Sequence, residues 1–540
     1  MQTALLNALV NDRKQHPERF NATADRVKEV LNIVCPAKAP VICNTWQLEQ
    51  SDLSARYSRL CSRGASASGG QLHRQPNYNH LKNIPKGKPV PFSGTNRGDN
   101  GITILTDAIA SRLAKTLAKA LSRIELKKFI SLIKDSEIST QEAISLHERY
   151  KIPVSRLEKD LVFTRARGAW LYDTLGNKYL DMDSNYSATN LGNENKEVAL
   201  GLFNQAQQLI STKEDRVHIP RARFLQVIHS MFPKELTQFY WQNSGGEAVD
   251  KALKIAKAYT KQKGVIALKN GFHGRTHGAA AVTYNLEYRT PFFLDQQDWV
   301  YFVEPDDPGA VEALFKSGRA KIIIMEVVQG EEAGIRPLNS GFVRKVRALC
   351  DKYNAVMIVD EVQSGFGRCA TKPGQWWASQ VYGVIPDIMS IGKSFGGGYP
   401  VTAVVTTPKI SAAMKPGYDG STFGGNPMAM VAAYIATRQM VQKDITSNVV
   451  ARSKQFKAGL EKIKKAYPKL IGEIRMLGLM LGFELPSKEA VHKFQEILKE
   501  YNIHSSLSTA SAVRFLPPLI ISAKEVAFTL KGIAQSLKRL

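Results

Sequence analysis

The sequence predicts an α/β protein, and three observations carry that prediction. Short apolar runs, several residues of them β-branched, end on polar ones. Val356–Asp360 (VMIVD) and the stretch VIPDIMSI at 384–391 both have this pattern of a short buried strand. A run with helical spacing comes after two glycines in QNSGGEAVDKALKIAK, 242–257, with Ala248, Ala252, Ile255 and Ala256 on one side. Glycine-rich turns join such runs, the densest being SIGKSFGGGYP at 390–400.

In chain order, residues 1 to about 60 read as helical, with apolar positions at Leu5, Leu6, Leu9, Val27, Val30, Leu31 and Val34. From Gly64 to Gly101 the composition turns to Gly, Ser, Pro, Asn and Lys, which predicts a flexible basic linker or long loop. Residues 102–134 come next as an amphipathic helix. Leu105, Ile109, Leu113, Leu117 and Leu121 recur every fourth residue, while Arg112, Lys115, Lys119, Arg123, Lys127 and Lys128 supply a basic surface. Such a helix packs its stripe on neighbouring helices or on the body of the protein. It also suits a protein partner or an anionic membrane surface.

The chemistry gathers in the second part of the chain. Ser244, Gly245 and Gly246 precede a helix, so free backbone N–H groups at its start form an anion site suited to a phosphate; the same turn also serves as an ordinary helix cap. Phe272, in NGFHGRTHG, offers a flat face for stacking on a ring. Asp360 ends a strand, and a carboxylate there needs a partner; the protonated ring nitrogen of pyridoxal phosphate is one, and a capped loop is another. Lys393 lies between a strand and three glycines, where an aldehyde cofactor could be held as a Schiff base. A lysine beside glycines is also common in solvated loops, and its meaning comes from the companions.

Taken together, these motifs resemble the class III, or ω-amino acid, family of pyridoxal-phosphate aminotransferases, which includes ornithine, acetylornithine, putrescine and 4-aminobutyrate aminotransferases. The resemblance covers about Leu146 to the C-terminus and rests on motifs in the family's order: GAWLYDTLGNKYLD with NYSATNLG, NSGGEA, FHGRT, EVVQGE, DEVQSGFGR, IGKSFGGGYP with GSTFGGNP, and VRFLPPL. It implies a fold-type I transferase with a large domain built on a mainly parallel seven-stranded sheet. A smaller α+β domain comes from both ends of the catalytic region. The expected boundaries are a helical extension at 1–140, the first part of the small domain at 141–200, the cofactor-binding domain at 201–435 and the rest of the small domain at 436–540.

The resemblance assigns Lys393 to the internal aldimine, Asp360 to the pyridine nitrogen and Gln363 to the ring's phenolic oxygen. Phe272 stacks on the ring, and Ser244, Gly245 and Gly246 bind the phosphate. Thr422, in GSTFGGNP, reaches the phosphate of a neighbouring subunit, which implies a homodimer with shared sites. Arg275 grips a distant substrate carboxylate, while Glu331 masks Arg514 until 2-oxoglutarate or glutamate binds. Tyr186 stands where ornithine-type relatives contact substrate. The implied reaction moves an amino group from an ω-amino acid or ornithine-like donor to 2-oxoglutarate. Its rivals are a putrescine-like diamine aminotransferase, an aminomutase and a catalytically silent dimeric platform. Four departures, Gly246, Val327, Asn193 and Asp419, bear on loop shape and substrate fit and remove no catalytic group.

Composition sets the remaining bounds. The chain has 540 residues, 44% of them apolar, which is ordinary for a soluble globular protein. Five cysteines, Cys35, Cys43, Cys61, Cys350 and Cys369, show no paired C-x-x-C spacing, which argues against structural zinc and fits a reducing cytoplasm. No apolar run approaches membrane-spanning length, and the N-terminus lacks the basic n-region of a secretory signal. Residues 1–150 hold 22 basic and 13 acidic side chains, or +9 of the net +25, so the excess is spread over the chain. A distributed basic surface steers acidic substrates and, with no recognised motif, predicts no specific nucleic acid.

Overall fold

The structure, a computed structural model, describes residues 138–155, 157–506 and 511–540. The expected helices within 1–60 and 102–134 and the linker at 64–101 lie outside the described residues.

After a helix at Thr140–Tyr150, three strands, β1 (Phe163–Arg167), β2 (Trp170–Asp173) and β3 (Lys178–Asp181), form an antiparallel meander. The central sheet comes next. Its strands are β4 (Gln238–Gln242), β5 (Val265–Leu268), β6 (Val300–Val303) and β7 (Ile322–Met325). After a hairpin of β8 (Val328–Gln329) and β9 (Arg336–Pro337), the sheet adds β10 (Val356–Asp360), β11 (Ile388–Ile391) and β12 (Thr402–Thr406). The strand order is β4-β12-β11-β10-β7-β5-β6, and only β12 runs antiparallel to its neighbours. The mainly parallel seven-stranded sheet expected from the family resemblance is therefore present. Beyond it, β13 (Ile474–Leu477), β14 (Met480–Glu484) and β16 (Ala512–Phe515) make an antiparallel sheet. β15 (Ile503–His504) pairs in parallel with β3, joining the two ends of the described chain in one sheet.

The central strands read as unbroken apolar runs because both of their faces are covered. Ile322 and Ile324 pack with Val356, Ile358 and the helix Gly245–Thr260 on one face. Ile323 and Met325 pack with Met357, Val359 and the helix Ser340–Tyr353 on the other. This two-residue alternation within an all-apolar run divides one strand between two cores.

The topology also sets where chemistry occurs. β4, β5, β7, β10 and β11 all run the same way, so their C-terminal ends share one sheet edge. Gln242, Glu326, Asp360 and Lys393 lie at or just beyond those ends. Ligands of open α/β sheets bind at this edge.

Candidate active site

The helix Gly245–Thr260 begins with Ser244 as its N-cap. Ser244 Oγ accepts from Glu247 N at 3.3 Å, and the Glu247 carboxylate accepts in return from Ser244 N at 3.2 Å. This capping box uses N–H groups on either side of Gly245 and Gly246, whose own N–H groups take no partner among the described residues at the positive end of the helix. Close packing leaves little room for side chains here. A Cβ on Gly245 would lie 3.0 Å from Val362, and one on Gly246 would lie 2.9 Å from Thr276 Oγ1.

Asp360 is buried at the end of β10. Its Oδ1 accepts from Val362 N at 3.1 Å, and its Oδ2 accepts from His273 Nδ1 at 2.9 Å. Glu326, just beyond β7, accepts from Phe272 N at 2.9 Å and from Gly330 N at 3.3 Å. Burial, reinforced by Asp360 and opposed by His273, pushes the Glu326 carboxyl up to about 7. Sequence reasoning passed over both His273 and Glu326. The signal was present, since each sits inside a quoted motif and is a polar residue beside a strand end.

Lys393 lies just after β11 with φ +52°, the left-handed region that L-residues enter at a cost of about 1–2 kcal/mol. Its neighbour Gly392 admits no Cβ, which would stand 2.9 Å from Thr402 Cγ2. Burial holds the Lys393 ammonium below the usual lysine range; Arg514 pushes the same way, while Glu331, Asp360 and Glu326 oppose it.

A second group of residues shapes the mouth. Ser184, Asn185, Tyr186 and Ser187 all have positive φ, a left-handed turn of four residues. Several bonds pin it: Asp181 Oδ1 accepts from Asp183 N at 3.0 Å and Ser184 N at 2.7 Å, and Ser184 Oγ donates to Leu516 O at 2.6 Å. Buried Arg368 ties the turn to the lysine loop. It donates to Leu479 O (3.0 Å), Pro517 O (2.8 Å), Ser184 Oγ (3.4 Å) and Asn190 Oδ1; Asn190 in turn donates to Ser394 Oγ, and Ser394 Oγ donates to Ser187 O at 3.2 Å. Arg368, Asn190 and Ser394 were not singled out from sequence either, because their roles arise only from contacts 111 to 207 residues apart. Gln363 Nε2 donates to Tyr186 O at 3.4 Å, and a Cβ on Gly330 would fall 1.7 Å from Gln363 Oε1, so a side chain at 330 would push Gln363 out of this position.

Arg514, on β16, is almost wholly buried and ion-paired with Glu331. It also donates to Gly330 O (3.0 Å) and Ser506 Oγ (3.4 Å), and its guanidinium lies 5.4 Å from the Tyr186 ring centroid. The cross-strand neighbour of Arg514 is Gly482 on β14, where a Cβ would stand 2.4 Å from Gly334 O. That missing side chain lets the β8–β9 tip bring Glu331 to the arginine. Arg275 lies over the Tyr288 ring at 3.8 Å, with Phe272 edge-on to Tyr288 at 6.0 Å.

The structure thus brings together Lys393, Asp360, Gln363, Tyr186, Glu331 and Arg514, with Phe272 and the Ser244 turn on adjoining strand ends. Thr422 stands apart, exposed on the loop after Asp419 and with no hydrogen bond among the described residues. That loop is held from below by His218 Nε2, 2.9 Å from Gly425 O. Among the described residues, no cluster of His, Cys, Asp and Glu could hold a metal ion, and no helix is long and apolar enough to cross a membrane.

Comparison with known proteins identifies the family. The family model "Aminotransferase class-III" matches residues 153–537. A [LysW]-aminoadipate semialdehyde/glutamate semialdehyde transaminase of Sulfurisphaera tokodaii is 32% identical over 68% of this chain and 92% of its own length. An acetylornithine aminotransferase of Methanopyrus kandleri is 33% identical over 69% and 92%. The crystal structure of ornithine aminotransferase from Toxoplasma gondii superposes with a TM-score of 0.70 at 26% identity, covering 76% of this chain and 97% of that one. The chain belongs to the class-III aminotransferases, enzymes that work with pyridoxal 5'-phosphate.

Proposed function

We propose that the chain moves an amino group from an ω-amino acid or ornithine-like donor to 2-oxoglutarate. Lys393 would be both the covalent anchor of the cofactor and the carrier of the proton. The observation that carries the reading is a lysine with a lowered pKa beside an arginine held by a displaceable carboxylate.

The residues fit the cofactor. The Gly245 and Gly246 N–H groups make no hydrogen bond among the described residues, and His273 Nε2 is buried without a partner among them. Such groups call for a polar, partly anionic occupant. Ser244, Gly245 and Gly246 would hold its phosphate, Asp360 its ring nitrogen, Gln363 its phenolic oxygen and Phe272 its ring face. Bound there, the cofactor supplies an electron sink for a carbanion. His273 orients Asp360, and Glu326 anchors the Phe272 backbone. As a free base, Lys393 Nζ would take the proton from the donor carbon, and as an ammonium it would deliver that proton to the cofactor's carbon instead of returning it.

Arg514 and Glu331 support two substrate classes in one site. With an ω-amine, Glu331 stays on Arg514 and leaves no free cation near the reacting carbon. With glutamate or 2-oxoglutarate, the substrate's carboxylate replaces Glu331 in a bidentate pair. Arg275 takes the distant carboxylate, and Tyr186 lines the path between. The printed names of the relatives, acetylornithine and ornithine aminotransferases among them, favour donors of this length.

Two further parts belong to the reading. Thr422, beside exposed Phe423 and on a loop outside the chain's own site, would serve the phosphate of a second subunit in a homodimer. The free, buried thiols Cys350 and Cys369 suit a cytoplasmic protein. A panel of ornithine, acetylornithine, 4-aminobutyrate, lysine and putrescine with 2-oxoglutarate tests the reaction through glutamate formation. Full turnover without any 2-oxo acid would overturn it, as would a purified protein lacking a visible band that borohydride abolishes. Mixing inactive Lys393→Ala and Thr422→Ala subunits tests the dimer, since exchange into shared sites changes activity.

A further inference from the structure

The loop at 415–426 carries Thr422 at its exposed apex, and the two sides of that apex are held in different ways. The far side rests on close contacts. His218 Nε2 lies 2.9 Å from Gly425 O, and a Cβ on Gly425 would stand 2.8 Å from the Trp241 ring. On the near side the chain stands off the body of the protein. A cavity of about 220 Å³ lies under the stretch that leads into the apex, lined among others by Tyr240, Val404, Met414, Lys415 and Asp419.

Charge holds the near side instead. Asp419, one of the positions at which the sequence departs from the family pattern, accepts from Lys251 Nζ at 2.5 Å through Oδ1 and pairs with Lys254 Nζ at 2.6 Å through Oδ2. Oδ1 also accepts from Gly420 N at 2.7 Å, which directs the chain towards the apex. The Asp419 side chain is 8% exposed and that of Lys251 18%, so the inner pair is shielded from salt. Burial opposes the charge, yet the bonds from Lys251, Lys254 and Gly420 hold the Asp419 carboxyl down to about 2, and it is ionised near neutral pH. Lys251 and Lys254 stand three residues apart on one side of the helix Gly245–Thr260. The helix that offers its first N–H groups to the chain's own phosphate site therefore carries the Thr422 loop on its flank.

We infer that Asp419, clamped between Lys251 and Lys254, is the positioning residue for Thr422, setting where the loop apex meets the cofactor phosphate of the second subunit. The inference rests on the assignment of Thr422 to that phosphate. Asp419 is bonded inward to the helix and acts on the phosphate only through Thr422. A threonine on an untethered loop must be ordered before its hydroxyl can donate, and a loop already fixed avoids that entropic cost.

The test is a double-mutant cycle on the full-length protein, freed of cofactor and titrated with pyridoxal 5'-phosphate, with Kd read from the visible band and all four proteins held in one oligomeric state by gel filtration. Thr422→Ala removes a hydrogen bond to a charged group and should raise Kd about tenfold or more. Asp419→Asn, which keeps the size of the side chain and loses its charge, should raise Kd by about three- to tenfold. The double variant should match T422A within about twofold, because the clamp has nothing left to position. Should D419N fold poorly, Lys251→Met, which breaks the inner pair and leaves Lys254 on Asp419, should raise Kd in the same direction and again add nothing to T422A. Wild-type Kd in D419N, or losses that multiply in the double variant, would overturn the clamp while leaving the Thr422 assignment intact. Wild-type Kd in T422A overturns both.

Discussion

Replacing Glu331 with glutamine probes the mask on Arg514. The Arg514 side chain is 1% exposed and that of Glu331 19%. Removing one partner of a buried ion pair costs about 3–5 kcal/mol because the other charge is left alone. Here Gly330 O and Ser506 Oγ still accept from the guanidinium, and the glutamine amide oxygen remains an acceptor, so a loss of about 1–2 kcal/mol in stability is expected. The effect on selectivity should be larger. Glutamate and 2-oxoglutarate no longer have to displace a carboxylate worth about 1.5–3 kcal/mol, which corresponds to about ten- to hundredfold in their favour. An ω-amine donor meanwhile meets an exposed cation. Stopped-flow traces of the two half-reactions, followed at the cofactor's visible band, give the two kcat/KM values separately. Their ratio should shift towards glutamate by at least about tenfold. An unchanged ratio, or a weakened glutamate half-reaction, would refute the masking role.

Three other outcomes are expected. Arg368 loses its bonds to Leu479 O, Pro517 O, Ser184 Oγ and Asn190 Oδ1 if truncated, and burial without a full counter-charge pulls its pKa down to about 9; Arg368→Ala should lower the melting temperature by several degrees and Arg368→Lys should not restore it, since one ammonium cannot span Pro517 O and Asn190 Oδ1. Glu326 has its carboxyl raised from 4.5 to about 7, so the native state holds a proton that the unfolded chain has released; stability of the cofactor-free protein should fall as pH rises through about 4.5 to 7, by up to about 3 kcal/mol, and Glu326→Gln should flatten that slope in thermal melts. Deleting residues 1–100 should leave the visible cofactor band unchanged, because the family match begins at residue 153; loss of the band on gel-filtered truncated protein would show the segment to be needed.

Much of the site was legible as motif. Asp360 at the end of VMIVD, Lys393 after DIMSI and the Ser-Gly-Gly turn before a helical run each reflect a local rule: apolar runs make buried strands, and the residues at their C-terminal ends line the sheet edge. Glu331 and Arg514, 183 residues apart, were paired through family resemblance, and in the structure their side chains are hydrogen-bonded. His273 and Glu326 escaped notice because a polar residue in a motif gives no sign of whether it faces a cofactor or supports a neighbour.

The chain's own residues determined the class of fold and the sheet edge on which Asp360 and Lys393 lie. These rest on periodicities of two and 3.6 residues, which neighbouring residues encode, while the anchoring role proposed for Lys393 came from motifs that resemble a family. Only the tertiary structure decided how the parts bear on one another. The absence of a side chain at Gly482 lets the Glu331 tip reach Arg514, Gly330 makes room for Gln363, and Arg368 fastens a left-handed turn to the lysine loop. Close packing and charge pairing act between residues distant in sequence, and their strength depends on separations of tenths of an ångström that no local pattern records.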